Sequence, residues 1–176
     1  MPPPMLLVPH PDTPVATVQE IAVSVWQDDG RWHIRYLVEG RGDLVLAGPA
    51  EPRRTDNLWQ HTCFEAFVGL KGGAYLEFNF SPSGEWAAYR FDAPRQGMRD
   101  EPAEIEVWLD AGEDWLGGEA AVRCKALEPG LTLGLSAVIE ESGGRKSYWA
   151  LKHPDGPPNF HDRSCFTALL ANIAAP

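Results

Sequence analysis

Apolar and polar positions alternate most clearly between Asp56 and Asp92, in the segment DNLWQHTCFEAFVGLKGGAYLEFNFSPSGEWAAYRFD. Leu76, Phe78 and Phe80 share one face at period two, and Tyr75, Glu77, Asn79 and Ser81 share the other. Lys71-Gly72-Gly73 and Ser81-Pro82-Ser83-Gly84 carry the Gly and Pro that hairpin turns require, so the segment predicts three consecutive antiparallel strands. Upstream, residues 18–26 alternate, turn through Asp28-Asp29-Gly30 and return over residues 32–38 as a first hairpin. A Gly-, Pro- and Arg-rich loop over residues 40–55 is long enough to shape one end of the fold. Further strand patterns cover residues 105–109, 120–126, 131–139 and 147–151. This regular spacing predicts an all-β sandwich or barrel. Helical candidates are confined to one turn at 113–116 and to 166–173, which reads as a last strand or a short helix.

At 176 residues the chain fits one domain, with a core large enough to dispense with disulfides or a structural metal. The expected division is a Pro-rich N-terminal segment, residues 1–14, followed by a single domain over 15–176. A net charge of −10 opposes binding to a phosphate backbone or an anionic membrane, and both are excluded as expected partners. Cys63, Cys124 and Cys165 are odd in number and widely spaced, as expected of buried thiols in a reducing compartment. The start lacks a basic n-region and an apolar h-region, and no run reaches the roughly 20 apolar residues of a membrane helix. The expected location is cytoplasmic, and the oligomeric state is left open.

The chain has no GxSxG elbow, and Ser81 and Ser83 lie in a turn, which removes a Ser-His-Asp hydrolase. Cys63 sits among apolar neighbours and reads as an inert thiol. Glu65, Glu77 and Glu85 leave a glycosidase pair open on spacing alone. Glu65 interrupts the apolar run TCFEAFVG, where an unpaired carboxylate is costly. It faces outward, pairs with Arg90, or accepts hydrogen bonds from a bound polyol. The tail YWALKHPDGPPNFHDRSCF gathers Trp149, Lys152, His153, Asn159, His161 and Arg163 around a Pro-Gly loop suited to recognition. His153 and His161 are separated by seven residues and match no compact zinc pattern, so no metal site is expected. Of the seven tryptophans, Trp26, Trp32 and Trp108 fall within strand patterns and are expected to pack. Trp59 and Trp149 adjoin polar loops and are the expected ligand-stacking rings.

The runs LWQHTCFEAFVG, YLEFNFSPSGEWAAYRFD and YWALKHPDGPPNFH resemble bacterial DOMON-like domains, which are related to the family-nine carbohydrate-binding modules. The resemblance spans most of the chain and implies an antiparallel β-sandwich that binds a sugar or a b-type haem at one side. For a sugar or similar polar metabolite it implies stacking on Trp59 and Trp149, with Glu65, Asn79, Arg90 and Lys152 as hydrogen-bonding contacts; His153 and His161 of the recognition tail are further expected ligand contacts. For haem it implies Met98 with His153 or His161 as axial ligands. The expected function is non-catalytic recognition of a small carbohydrate or similar polar ligand by aromatic stacking and charged hydrogen bonds. A haem-binding electron-transfer domain and a protein-interaction module are the alternatives.

Overall fold

The computed structural model describes residues 3–171. Thirteen strands are present among the described residues: β1 (Met5–Leu6), β2 (Val8–Pro9), β3 (Glu20–Asp28), β4 (Arg31–Glu39), β5 (Cys63–Gly69), β6 (Tyr75–Phe80), β7 (Trp86–Phe91), β8 (Arg99–Asp100), β9 (Glu104–Ala111), β10 (Trp115–Arg123), β11 (Thr132–Glu141), β12 (Arg145–Ala150) and β13 (Ala168–Leu169). They form two sheets, one ordered β1-β3-β4-β10-β9 and the other β2-β12-β11-β5-β6-β7-β8, with β13 paired to β11. Every strand pairing is antiparallel, and the fold is the expected β-sandwich.

The N-terminal segment is woven into this body. β1 pairs with β3 in one sheet and β2 pairs with β12 in the other, so residue 14 does not mark the start of the sandwich. Farther along, the backbone N–H groups of Ala16 and Thr17 and the Thr17 hydroxyl all donate to the Glu141 carboxylate. The helical turn expected at 113–116 is not formed, because Trp115 and Leu116 already pair with Glu39 and Val38 of β4. Tertiary pairing there overrides a weak local preference. The candidate at 166–173 contributes the two-residue strand β13, and its last residues lie outside the described ones.

Alternate residues from the two sheets fill the space between them. Tyr36, Ile34 and Val38 from β4 meet Phe64, Ala66 and Val68 from β5, with Phe78 and Phe80 beside them. Tyr36 stacks on Phe64 with ring centroids 4.8 Å apart, and its hydroxyl donates to the Glu65 carbonyl across the sandwich. Opposite, Gly118 leaves room for the Phe64 ring: a Cβ there would lie 2.4 Å from Phe64 Cε2. All residues of β5 and β6 are buried, so the larger sheet is covered on both faces. Its outer face carries a second apolar cluster of Phe67, Tyr75, Ala87, Tyr89, Phe91, Cys165 and Phe166, packed under the C-terminal loop.

Among the tryptophans, Trp32 is in the core, whereas Trp26 stacks on His33 at the outer surface and Trp108 is exposed. Trp149 is only 3 % exposed and belongs to the main core, with its indole N–H donating to Ser147 Oγ at 2.9 Å. Trp149 is therefore a packing residue and not the expected ligand-stacking ring: its strand parity points it between the sheets. Trp149→Ala is expected to lower unfolding free energy by about 3–5 kcal/mol, as a drop in the urea midpoint with an unchanged slope.

Candidate functional site

On the outer face of the larger sheet, strand register lines up the polar positions. Glu65 pairs with Asn79 on one side and with Ser136 on the other, and Phe67 pairs with Glu77, which pairs in turn with Tyr89. Glu65 and Glu77 are thus diagonal neighbours on adjacent strands, 2 % and 5 % exposed. Three connections rise around them. A 3-10 turn at Leu58–Gln60 carries Trp59. The turn after β7 closes through Asp92 N–H to Gln96 O, with Arg95 and Gly97 at positive φ. Gly97 has φ +71°, a conformation that L side chains rarely adopt, so this turn favours glycine there. The long loop after β12 is pinned by His153 Nε2 to Val8 O at 2.7 Å, His10 Nε2 to Gly156 O at 2.8 Å and Arg163 Nη1 to Ala74 O at 2.9 Å.

Together they enclose a cavity of about 330 Å³ with Glu65 and Glu77 on its floor and Trp59, Tyr89, Phe91, Tyr148 and Phe160 among its walls. Arg95, Met98 and His161 also line it. Trp59, Tyr89 and Met98 are shared with an adjoining hollow of about 300 Å³ edged by Asp56, Asn57, Arg99 and Asp100. At the boundary, the Tyr89 hydroxyl donates to Asp56 Oδ1 at 2.5 Å.

The floor is held by a short chain of hydrogen bonds. The Arg95 backbone N–H donates to the Tyr75 hydroxyl at 3.0 Å, and that hydroxyl lies 2.7 Å from His161 Nδ1. With the Tyr75 oxygen accepting from Arg95, its proton is free to go to His161 Nδ1, which leaves the Nε2 proton facing Glu77 Oε2 at 3.6 Å. Asn79, turned with its NH2 toward Glu77, donates to Glu77 Oε1 at 3.2 Å. Glu65 receives only a long bond from Ser136 Oγ at 3.4 Å among the described residues.

Burial, and then mutual repulsion, hold the Glu65 carboxyl well above the usual carboxylate range. Burial raises Glu77 to about 7 despite the Asn79 bond and the Arg95 charge. Burial also lowers His161 to about 4, with Arg95 adding to the effect. Near neutrality His161 is therefore a neutral imidazole, and its contact with Glu77 is a hydrogen-bond approach and not an ion pair.

Trp59, Glu65 and His161 line the cavity, and Asn79 supports it from beneath through Glu77. Arg90 does not belong to it. Its β7 position is out of phase with Tyr89 and Phe91, and its guanidinium forms a two-pronged ion pair with Glu101 at 2.8 and 2.9 Å instead of reaching Glu65. Lys152 is exposed and outside the lining. His153 fastens the loop to the N-terminal segment, packing edge-on to His10 at 5.0 Å, and is also outside the lining. Of the residues expected to ligate haem, Met98 and His161 line the cavity and His153 does not. Both His161 nitrogens face protein partners, and an axial bond would displace Tyr75 or Glu77. Among the described residues, no group of three or more His, Cys, Asp or Glu side chains could hold a metal ion.

Glu77, Tyr89, Arg95, Tyr148 and Phe160 were not among the expected contacts. Glu77 was accessible to sequence reasoning, since it shares the period-two face of Asn79. Arg95 and Phe160 sit in irregular loops, where periodicity carries no signal.

The fold and cavity define an all-β sandwich with a loop-covered hollow on one sheet. It is similar to the crystal structure of a candidate carbohydrate-binding protein from Bacteroides uniformis, with a TM-score of 0.61 at 16 % identity over 93 % of this chain and 82 % of that one. At that identity the likeness is one of fold. No protein-family model matches the chain, and no curated protein matches it in sequence.

The buried acids make stability depend on pH. An unfolded Glu ionises near 4.5 and folded Glu77 near 7, so between these values the folded protein keeps a proton that the unfolded chain releases. Stability falls as pH rises through that window. His161 acts in the opposite sense between about 4 and 6.5, where the unfolded chain takes up a proton that the folded state refuses. Glu77→Gln is expected to gain stability over the parent between pH 5 and pH 8 by about 2–3 kcal/mol, read from urea midpoints across that range. A constant difference would place Glu77 in water.

Proposed function

We propose that this chain is a non-catalytic binding domain for a small carbohydrate or a similar polar ligand. The observation that carries the reading is the cavity itself. Aromatic walls suit the C–H faces of a sugar ring, and buried carboxyls and an imidazole offer directed partners for its hydroxyls. The hollow beyond Trp59 and Tyr89, edged by Asp56, Arg99 and Asp100, gives room for a second ring or substituent. The fold shared with the Bacteroides uniformis protein and the resemblance to DOMON-like domains support the same reading.

Binding is favoured over hydrolysis by the placement of the acids. A glycosidase flanks the scissile bond with its two carboxyls. Here both rise from adjacent strands of one floor, and Glu85 lies elsewhere, near Arg53 at 3.9 Å. The three buried free cysteines support a reducing, cytoplasmic setting.

Trp59 is half exposed at the cavity mouth and makes no part of the core, so its truncation tests the site without threatening the fold. In a glycan screen followed by titration calorimetry on the best ligand, Trp59→Ala is expected to weaken binding about tenfold or more. Its unfolding free energy should stay within about 0.5 kcal/mol of the parent. Equal affinity in parent and variant would remove the stacking platform.

A further inference from the structure

We propose that the preferred ligand carries a protonated amine, with an amino sugar as the fitting class, and that the amine is seated on the Glu65–Glu77 pair. This rests on the binding reading above and adds the chemistry of the ligand.

Two carboxyls within one apolar-walled space need either protons or a counter-charge. Neither makes an ion pair with Lys or Arg among the described residues. The nearest titratable partner, His161, is neutral near pH 7. Glu65 has a single long hydrogen bond from Ser136, so most of its accepting capacity is unused. Arg95 is the one cation in the lining, but it is exposed and its Nη2 donates to Asn159 Oδ1 at 3.3 Å. Its charge sits at the solvent end while the acids occupy the floor. A neutral polyol would offer hydroxyl donors but no counter-charge, and the pair would keep its protons. An ammonium group offers three donors and a positive charge, allowing the pair to ionise on binding. Trp59, Tyr89, Tyr148 and Phe160 line the same space, and an aromatic face attracts an ammonium and packs on the ring that bears it.

The test compares glucosamine, galactosamine and mannosamine with their N-acetyl derivatives and neutral parents, by titration calorimetry at pH 7 in two buffers of different ionisation enthalpy. Butylamine serves as a bare amine. The amino sugars are expected to bind about tenfold or more tightly than their acetylated and neutral counterparts, with net proton release as Glu77 and Glu65 ionise. Their affinity should fall as pH drops from 7 to 5, a range over which His161 stays neutral. Glu77→Gln, which keeps the shape and removes one acid, should reduce both the preference and the proton release, and the double variant Glu65→Gln/Glu77→Gln should abolish both.

Neutral and acetylated sugars binding as tightly as the amino sugars would overturn the amine and leave the carbohydrate reading standing. Butylamine matching the amino sugars, with neutral sugars silent, would uphold the amine and overturn the sugar. No binding by any member of the panel would overturn both.

Discussion

The Tyr36 hydroxyl reaches across the sandwich to the carbonyl of Glu65, and this contact fixes the strand on which the site depends. Tyr36 is stacked on Phe64, and Phe64 can lie deep because Gly118 has no side chain beneath it. With Phe64, Ala66 and Val68 committed to the core, the pleat of β5 leaves Cys63, Glu65 and Phe67 no direction but the other face. The position of the acid is thus a consequence of core packing. Displacing it without also displacing Phe64 would require a register slip, which would reverse both faces at once.

The second face is not left to solvent. Phe67, Tyr75, Phe91 and Phe166 form a small core of their own, and the connections carrying Trp59, Arg95 and His161 close over it. This covering raises the energy of charge in the floor, and it also makes that energy usable by a ligand. An acid left in water would offer a polar partner little, because its hydration would have to be displaced first. Beneath a lid of rings the same acid is poorly solvated, and donors brought to it meet a strong acceptor.

The covering loops are held by few, specific ties. His153 and His10 bind the C-terminal loop to the N-terminal segment, Arg163 caps the turn between β5 and β6, and Asn159 receives both Arg95 Nη2 and the His161 backbone N–H. Residues 3–14 therefore contribute to the site indirectly, through the loop that bears Phe160 and His161. The tail residues Lys152 and His153 look like ligand contacts when read as a string, yet one faces solvent and the other is a fastener.

The strands, their antiparallel pairing and the two faces of β6 were determined by the sequence alone, because period-two alternation and Gly-Pro turns act over a few residues. So was the oddity of Glu65, an acid in an apolar run. Which aromatic rings meet a ligand was decided only by tertiary structure. Trp149 and Trp59 both border polar loops in the sequence, but Trp149 has the parity of the core and Trp59 stands on a turn outside it. Arg90 was misplaced for the same reason, its phase in β7 turning it to Glu101. Arg95 and Phe160 reach the cavity only because loops distant in sequence close over one sheet. No local pattern encodes that closure, since it arises from contacts between segments more than 60 residues apart.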